Sequence, residues 1–332
     1  MRAGLLWACA VLWLPSLGCD TPDEPDPAPT TQTLDCPAPA ELPFTTLTDR
    51  WIAPEVQAEF DGTVPGYGGL DVLGPPGDEV VFEGVMARND RVIPTPLRGE
   101  WVSAWQFTAE PGWEELGREL TDFGRARYSI SVSGDALAAG QSRIYAVLEG
   151  AGHCADHGVF PWPPGTPVIV SDIDGTLTLS DEELTTELSD PSYVQRAWPG
   201  AVDLTTTWAG KGFGVVYLTA RTDELRSMTR PWLDDLGFAF GPLSTSPELV
   251  LGGSAADYKA GFLSRLLDEL DWDVVAVYGN ADSDIEAYSR VGIPLDRTFI
   301  IGANAGAEGT VAVEGGWEDH IEAFVRPFPD AN

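Results

Sequence analysis

At residues 161–167, PWPPGTP, the hydrophobic rhythm of this 332-residue chain changes, and each rhythm admits a different fold. From about residue 42 to 162, apolar and polar residues alternate in EVVFEGVMAR, GEWVSAWQF, RARYSISV and SRIYAVLEG, with turn-rich stretches such as RNDR and VSGD among them. A period of two belongs to half-buried strands, and several short ones at this spacing predict a β-sandwich. In ARYSISV, Ala126, Tyr128, Ile130 and Val132 share one face, while Arg127, Ser129 and Ser131 share the wetted one. From 163 onward, the apolar runs PVIVSD, FGVVYLTA, VVAVYGN and RTFIIG alternate with helical stretches. That pattern predicts an α/β unit with a doubly wound parallel sheet closed by right-handed crossovers. Of the helices, TDELRSMTRPWLDDLG carries Pro231 well inside it, which predicts a bend or break. In SAADYKAGFLSRLLDELD, Tyr258, Phe262, Leu263, Leu266, Leu267 and Leu270 fall on one face. No internal repeat or P-loop interrupts either half.

In a doubly wound sheet, ligands collect beyond the carboxyl ends of the strands. Asp172 and Asp174, in VIVSDIDGTLTLSD, fall there, as do Thr219 at the end of VVYLT and Asn280 at the end of VVAVYGN. Lys259 lies just inside the helix before that last strand. Two acids, a hydroxyl, an ammonium and an amide therefore converge from four segments.

DIDGT resembles the Asp-x-Asp-x-Thr motif of the haloacid dehalogenase superfamily of phosphatases. Thr219, Lys259 and GNADSD match its remaining motifs in order. DIDGTLTLSD, YLTARTDELRSMTRPWL, GPLSTSP and YGNADSDIEAYSRVGIP together are similar to the C-terminal catalytic domain of lipins, the Mg-dependent phosphatidate phosphatases, over about residues 167–325. A preceding immunoglobulin-like sandwich fits that pattern more loosely. The resemblance implies a haloacid dehalogenase-like, essentially capless domain over 163–332. It implies Asp172 as the nucleophile that becomes an aspartyl phosphate, and Asp174 as the acid and base. Mg²⁺ would lie on the Asp172 side chain, the Asp174 main-chain carbonyl and Asn280, with Asp284 bracing the metal or its waters. Thr219 would donate to phosphate, Lys259 would neutralise it, Gly175 would let the backbone approach it, and Arg221 would touch phosphate or headgroup or else form a structural ion pair. An EF-hand is excluded by Leu177, which stands where its glycine belongs. GANAGAEG resembles a phosphate-cradling loop but lacks the lysine and helix signals of a P-loop. One departure stands out: Ala281 replaces the arginine usual in lipin-like sequences.

About 44 residues separate Asp174 from Thr219, too few for a large cap, so the site should be open. An open site suits phosphatidate at a membrane surface. A lysophosphatidate or another exported monoester is the alternative substrate. The alternative class is a phosphatidate sensor without catalysis, as in related domains of phosphatidylinositol-transfer proteins, which lose catalytic aspartates.

Fifty-two acids against 19 bases give a formal charge of −33 and no basic stripe, which excludes a nucleic-acid surface. No organic cofactor is expected. Residues 1–19, MRAGLLWACAVLWLPSLGC, read as a lipoprotein signal ending in a lipidated Cys19, and the acidic, proline-rich segment 20–41 reads as a tether. On that reading the chain is exported and lipid-anchored to a bacterial membrane, and Cys36 and Cys154 remain to form a disulfide. The competing reading of GHCADH is a zinc site on His153, Cys154 and His157.

Overall fold

The protein is described from a computed structural model, which covers residues 64–89, 94–108, 112–190 and 192–331 together with Ile52. Among the described residues, nine strands precede the proline-rich turn. In one antiparallel sheet, β3 (Glu79–Asn89) is bordered by β1 (Val64–Gly69) on one side and by β7 (Arg127–Ser133) and β4 (Pro94–Pro96) on the other. The second sheet runs in the order β2 (Val72–Leu73), β9 (His153–Phe160), β8 (Ser142–Leu148), β5 (Trp101–Phe107) and β6 (Trp113–Leu120). It is antiparallel except that β2 pairs parallel with β9. Phe82, Tyr128, Ile130 and Val132 from the first sheet share one apolar cluster with Val102, Ala104, Ile144 and Leu148 from the second, so the sheets pack face to face. Along β7 the buried residues are Tyr128, Ile130 and Val132 and the exposed ones are Ser129, Ser131 and Ser133, as the alternation required.

The rest is α/β. Six parallel strands lie in the order β12 (Leu243–Ser246), β11 (Gly214–Thr222), β10 (Pro167–Ser171), β13 (Asp273–Gly279), β14 (Thr298–Ile300) and β15 (Val311–Ala312). The helices are α1 (Glu183–Ser189), α2 (Ala201–Gly210), α3 (Arg226–Leu236), α4 (Gly253–Ser264), α5 (Asp282–Arg290) and α6 (Trp317–His320). Successive residues of a strand point to opposite faces. Ile169 and Tyr217 accordingly pack with Trp208 of α2, Trp232 of α3 and Trp317 of α6, whereas Val168, Val170 and Val216 pack with Leu263 of α4 and Tyr288 of α5. The chain winds outward through β11 and β12, then returns across β10 to β13, so the switch in direction lies between β10 and β13.

The break expected at Pro231 is absent. Helix α3 runs through it, and the irregularity is a 3₁₀ turn at Asp223–Leu225 immediately before the helix. Pro231 stands five residues into α3, where its missing N–H leaves one carbonyl without its helical donor, a loss the packing of Trp232 and Leu233 outweighs.

Asp71 fastens the two parts together. Its carboxylate accepts hydrogen bonds from Arg226 (2.7 Å) and Arg230 (2.8 Å) of α3 and from the backbone N–H of Leu243 (2.7 Å). Arg127 pairs with Asp223 at 2.8 Å, and Arg143 donates to Asp234 at 2.7 Å.

The expectations for the signal, the tether, Cys19 and Cys36 lie outside the described residues. Cys154 is disulfide-bonded, with its partner also outside them. His153, Cys154 and His157 do not gather: on β9 the two histidines face one way and Cys154 the other. His157 instead donates from Nδ1 to the Leu70 carbonyl (2.7 Å) and accepts from the Tyr128 hydroxyl at Nε2 (2.8 Å). No helix among the described residues is long and apolar enough to cross a membrane.

Candidate active site

The turn after β10 is wound tightly, with the N–H groups of Thr176, Leu177 and Thr178 all donating to the carbonyl of Ile173. Gly175 takes a left-handed φ of +71°, and a Cβ there would lie 2.1 Å from Asn280 Nδ2 and 2.5 Å from Asp181 Oδ1. Only glycine meets both demands.

Asp172 is 2% exposed. Its Oδ1 accepts from Lys259 Nζ at 2.5 Å and its Oδ2 from the Thr176 hydroxyl at 3.0 Å. The same ammonium donates to Asp284 Oδ1 at 2.5 Å. Asp284 Oδ2 caps the start of α5, accepting from the N–H groups of Asn280 and Ala281 at 3.0 Å each. Burial, reinforced by Asp284 and Asp174, pushes the Asp172 carboxyl up against the pull of Lys259. Burial pulls Lys259 down, but Asp172 and Asp284 outweigh it and hold the ammonium above its ordinary range.

Asp174 stands in the opposite setting. Arg221 grips it as a fork, with Nε 3.1 Å from both carboxylate oxygens and Nη2 2.8 Å from Oδ1, and Thr219 donates to Oδ2 at 2.9 Å. These contacts overcome the upward push of burial and keep the carboxyl below its usual range. Arg221 is itself held by donating to Thr229 (3.0 Å) and Gln195 (2.5 Å), and Gln195 donates to Glu187 (2.5 Å). On the other flank, Asn280 donates to Asp181 at 3.1 Å, accepts from Thr176 at 3.3 Å, and receives the Asn304 amide on its carbonyl at 2.9 Å.

The structure thus brings these residues to the carboxyl rim as two bonded sets, Asp174 with Thr219 and Arg221, and Asp172 with Lys259, Asp284, Thr176 and Asn280, which the turn through Gly175 connects along the chain. Arg221 takes the second of its two expected roles, an ion pair with Asp174; Thr219 donates to Asp174, and Asp284 is engaged by Lys259 and two backbone amides. Among the described residues, no group of three or more His, Cys, Asp or Glu is arranged around a common metal position. Thr176, Asp181, Gln195 and Asn304 were not singled out from the sequence. Thr176 is the terminal residue of DIDGT and could have been; Gln195 and Asn304 carry no local signal.

Residues 169–302 match the model of the LNS2 domain of PITM 1-3, a lipin-like, phosphatase-related domain. The chain is 28% identical over 260 residues to membrane-associated phosphatidylinositol transfer protein 3 of Mus musculus, covering 76% of this chain and 25% of that protein. It is 30% identical to membrane-associated phosphatidylinositol transfer protein 1 of Rattus norvegicus, over 71% of this chain and 17% of that one. Protein retinal degeneration B of Drosophila melanogaster is 29% identical over 76% of this chain and 20% of its own. The chain therefore spans about a quarter or less of these relatives. Among solved structures, a class C acid phosphatase from Bacillus anthracis with tungstate bound is 19% identical, with a TM-score of 0.28 over 36% of this chain and 54% of that one, a likeness too slight to bear on the fold.

Two expectations are corrected. The resemblance assigned to haloacid dehalogenase-type lipin phosphatases gives way to the LNS2 match. The motifs that carried it do not separate these groups, and Ala281 was the one departure from the lipin pattern noted among them. The placement as a bacterial exported lipoprotein is overturned as well, since the relatives are proteins of mouse, rat and fly, the first two named as membrane-associated. It rested on the apolar stretch and cysteine of residues 1–19 alone.

Proposed function

We propose that the chain is a Mg²⁺-dependent phosphomonoester hydrolase, with phosphatidate as its substrate. One observation carries this reading: two carboxylates two residues apart occupy opposite electrostatic settings, Asp172 against an ammonium and Asp174 in an arginine fork. Paired acids with divergent environments suit a division between nucleophile and proton carrier.

The donor set fits a hard divalent cation. Buried Asp172 and Asp284 and partly exposed Asp174 lie with only Lys259 and Arg221 for counter-charge, a surplus of negative charge that a cation would relieve, and exposed Asp181 lies on the flank. The Asp172 carboxylate, the Asp174 main-chain carbonyl and the Asn280 amide oxygen would hold the ion, which screens the phosphoryl oxygens. Asp172 attacks phosphorus, the ester P–O bond breaks, and the departing alkoxide takes a proton from Asp174. Water then gives its proton to Asp174 as it attacks the aspartyl phosphate, releasing phosphate and restoring Asp172. A bound dianion would offer Thr219 and Arg221 a competing acceptor and raise the proton affinity of Asp174, which supplies the acid form the first step needs.

Phosphatidate is favoured by access and by kinship. Between β10 and β11 the chain places only α1 and α2, α2 is buried through Ala201, Leu204 and Trp208, and the Asp174 side chain remains 24% exposed. The relatives are named for phosphatidylinositol transfer at membranes. Those names also favour a second reading, a phosphatidate-binding domain without turnover. Phosphate release from a chromogenic monoester and from phosphatidate micelles, with Mg²⁺ and with chelator, separates the two. Release that stops on chelation supports the hydrolase, and lipid binding without release from either substrate supports the binder.

A further inference from the structure

Among the described residues, the most exposed large apolar side chains are Phe123 (81%), Leu249 (75%) and Leu251 (73%). Single exposed apolar residues need no explanation. These three, however, belong to two loops bound to each other: Arg125 donates to the Pro247 carbonyl at 3.2 Å and pairs with Glu248 at 3.1 Å. Both loops are stiff. Asp122 accepts the N–H groups of Gly124, Arg125 and Ala126 at 2.7–3.0 Å, and the Phe123 ring lies over Gly99. Ser246 donates to the Glu248 carbonyl at 2.6 Å, and Leu251 N–H donates to Ser254 at 2.9 Å.

Position decides what such a patch can do. Residues 247–252 leave the carboxyl end of β12 and enter α4, the helix that carries Lys259. All strands of that sheet run parallel, so Leu249 and Leu251 stand on the same rim as Asp172, Asp174 and Asn280. Charge supports the same face. In a chain of net charge −33, Arg98, Arg125 and Arg127 surround the Phe123 turn, Arg98 donating to the Gly124 carbonyl at 2.9 Å, and they balance Asp122, Asp223 and Glu248. A locally neutral, arginine-bearing rim can approach anionic headgroups that the rest of the surface repels.

We propose that Phe123, Leu249 and Leu251 enter the headgroup boundary of a phospholipid bilayer and so hold the catalytic rim against lipid phosphates. The proposal rests on the reading of the substrate as a lipid phosphate. Hydrogen exchange on the full chain tests it locally, using phosphatidylcholine vesicles that contain phosphatidate, with soluble glycerol phosphate as control. Exchange should slow at residues 121–126 and 247–252 with vesicles and not with the control. In the combined variant Phe123→Ser, Leu249→Ser, Leu251→Ser that protection should vanish. Hydrolysis of vesicle phosphatidate should fall at least about tenfold, since each buried side chain contributes about a factor of ten or more to partition. Hydrolysis of the chromogenic ester should stay at the wild-type rate. Unchanged exchange at both segments overturns the proposal, as does protection that follows protein concentration without vesicles, which would make the patch a contact between copies. Vesicle-dependent protection in a chain that releases no phosphate upholds the docking and refutes the hydrolase.

Discussion

Two clusters of charge are buried in this molecule, and they are balanced differently. At the junction, Asp71 and Asp156 lie among Arg143, Arg226 and Arg230, and each Asp71 oxygen meets an arginine and a backbone N–H, from Gly158 or Leu243. Burial pushes Asp156 up, yet Arg230, Arg226 and Arg143 outweigh it and hold the carboxyl down. At the rim, three carboxylates, Asp172, Asp174 and Asp284, face one lysine and one arginine. Burial of charge is common to both, so it does not by itself mark a site. What differs is the sign of the balance: the junction has arginines enough for its carboxylates, whereas the rim is short of positive charge.

Matched Asp→Asn changes break or sharpen that contrast. Asp172→Asn should lower phosphate release by about a thousandfold or more, because the nucleophile is lost, while the melting temperature stays level or rises. Asp71→Asn should cost about 3–5 kcal/mol in urea unfolding, because Arg226 and Arg230 would be left buried without their counter-charge. Equal destabilisation by the two changes would erase the distinction.

Each part of the molecule also buries a neutral histidine, and burial holds both His157 and His320 down to about 4. Between pH 6.5 and 4 the unfolded chain binds protons that the folded chain refuses, so stability should fall with pH across that window. The loss should be roughly 3 kcal/mol at most for each histidine. Urea midpoints measured against pH should show it, with a shallower slope in His157→Gln. The smallest effect concerns Thr229→Val, which removes one support of Arg221. Turnover should drop several-fold through the looser fork on Asp174, with unfolding changed by only about 1 kcal/mol.

Much of this was written locally. The period-two alternation gave the buried face of β7, and the apolar runs gave the parallel sheet, because both patterns are properties of a single strand. The carboxyl-rim rule placed Asp172, Asp174, Thr219, Lys259 and Asn280 together, because parallel strands share one end. The partners within the cluster were not legible. Arg221 could have faced a ligand, and only the positions of Gln195 and Thr229 turn its fork onto Asp174. Asp71 gave no sign of its role, because its arginine partners lie more than 150 residues away.

Asp71 also limits how the protein can be taken apart. Arg226, Arg230 and Thr229 share α3, and Thr229 supports the arginine that grips Asp174, so the strands before residue 161 contribute to the stiffness around Asp174. A shortened chain starting at β10 would carry two interior guanidinium groups without their anion. The smallest stable unit should therefore be the two parts joined.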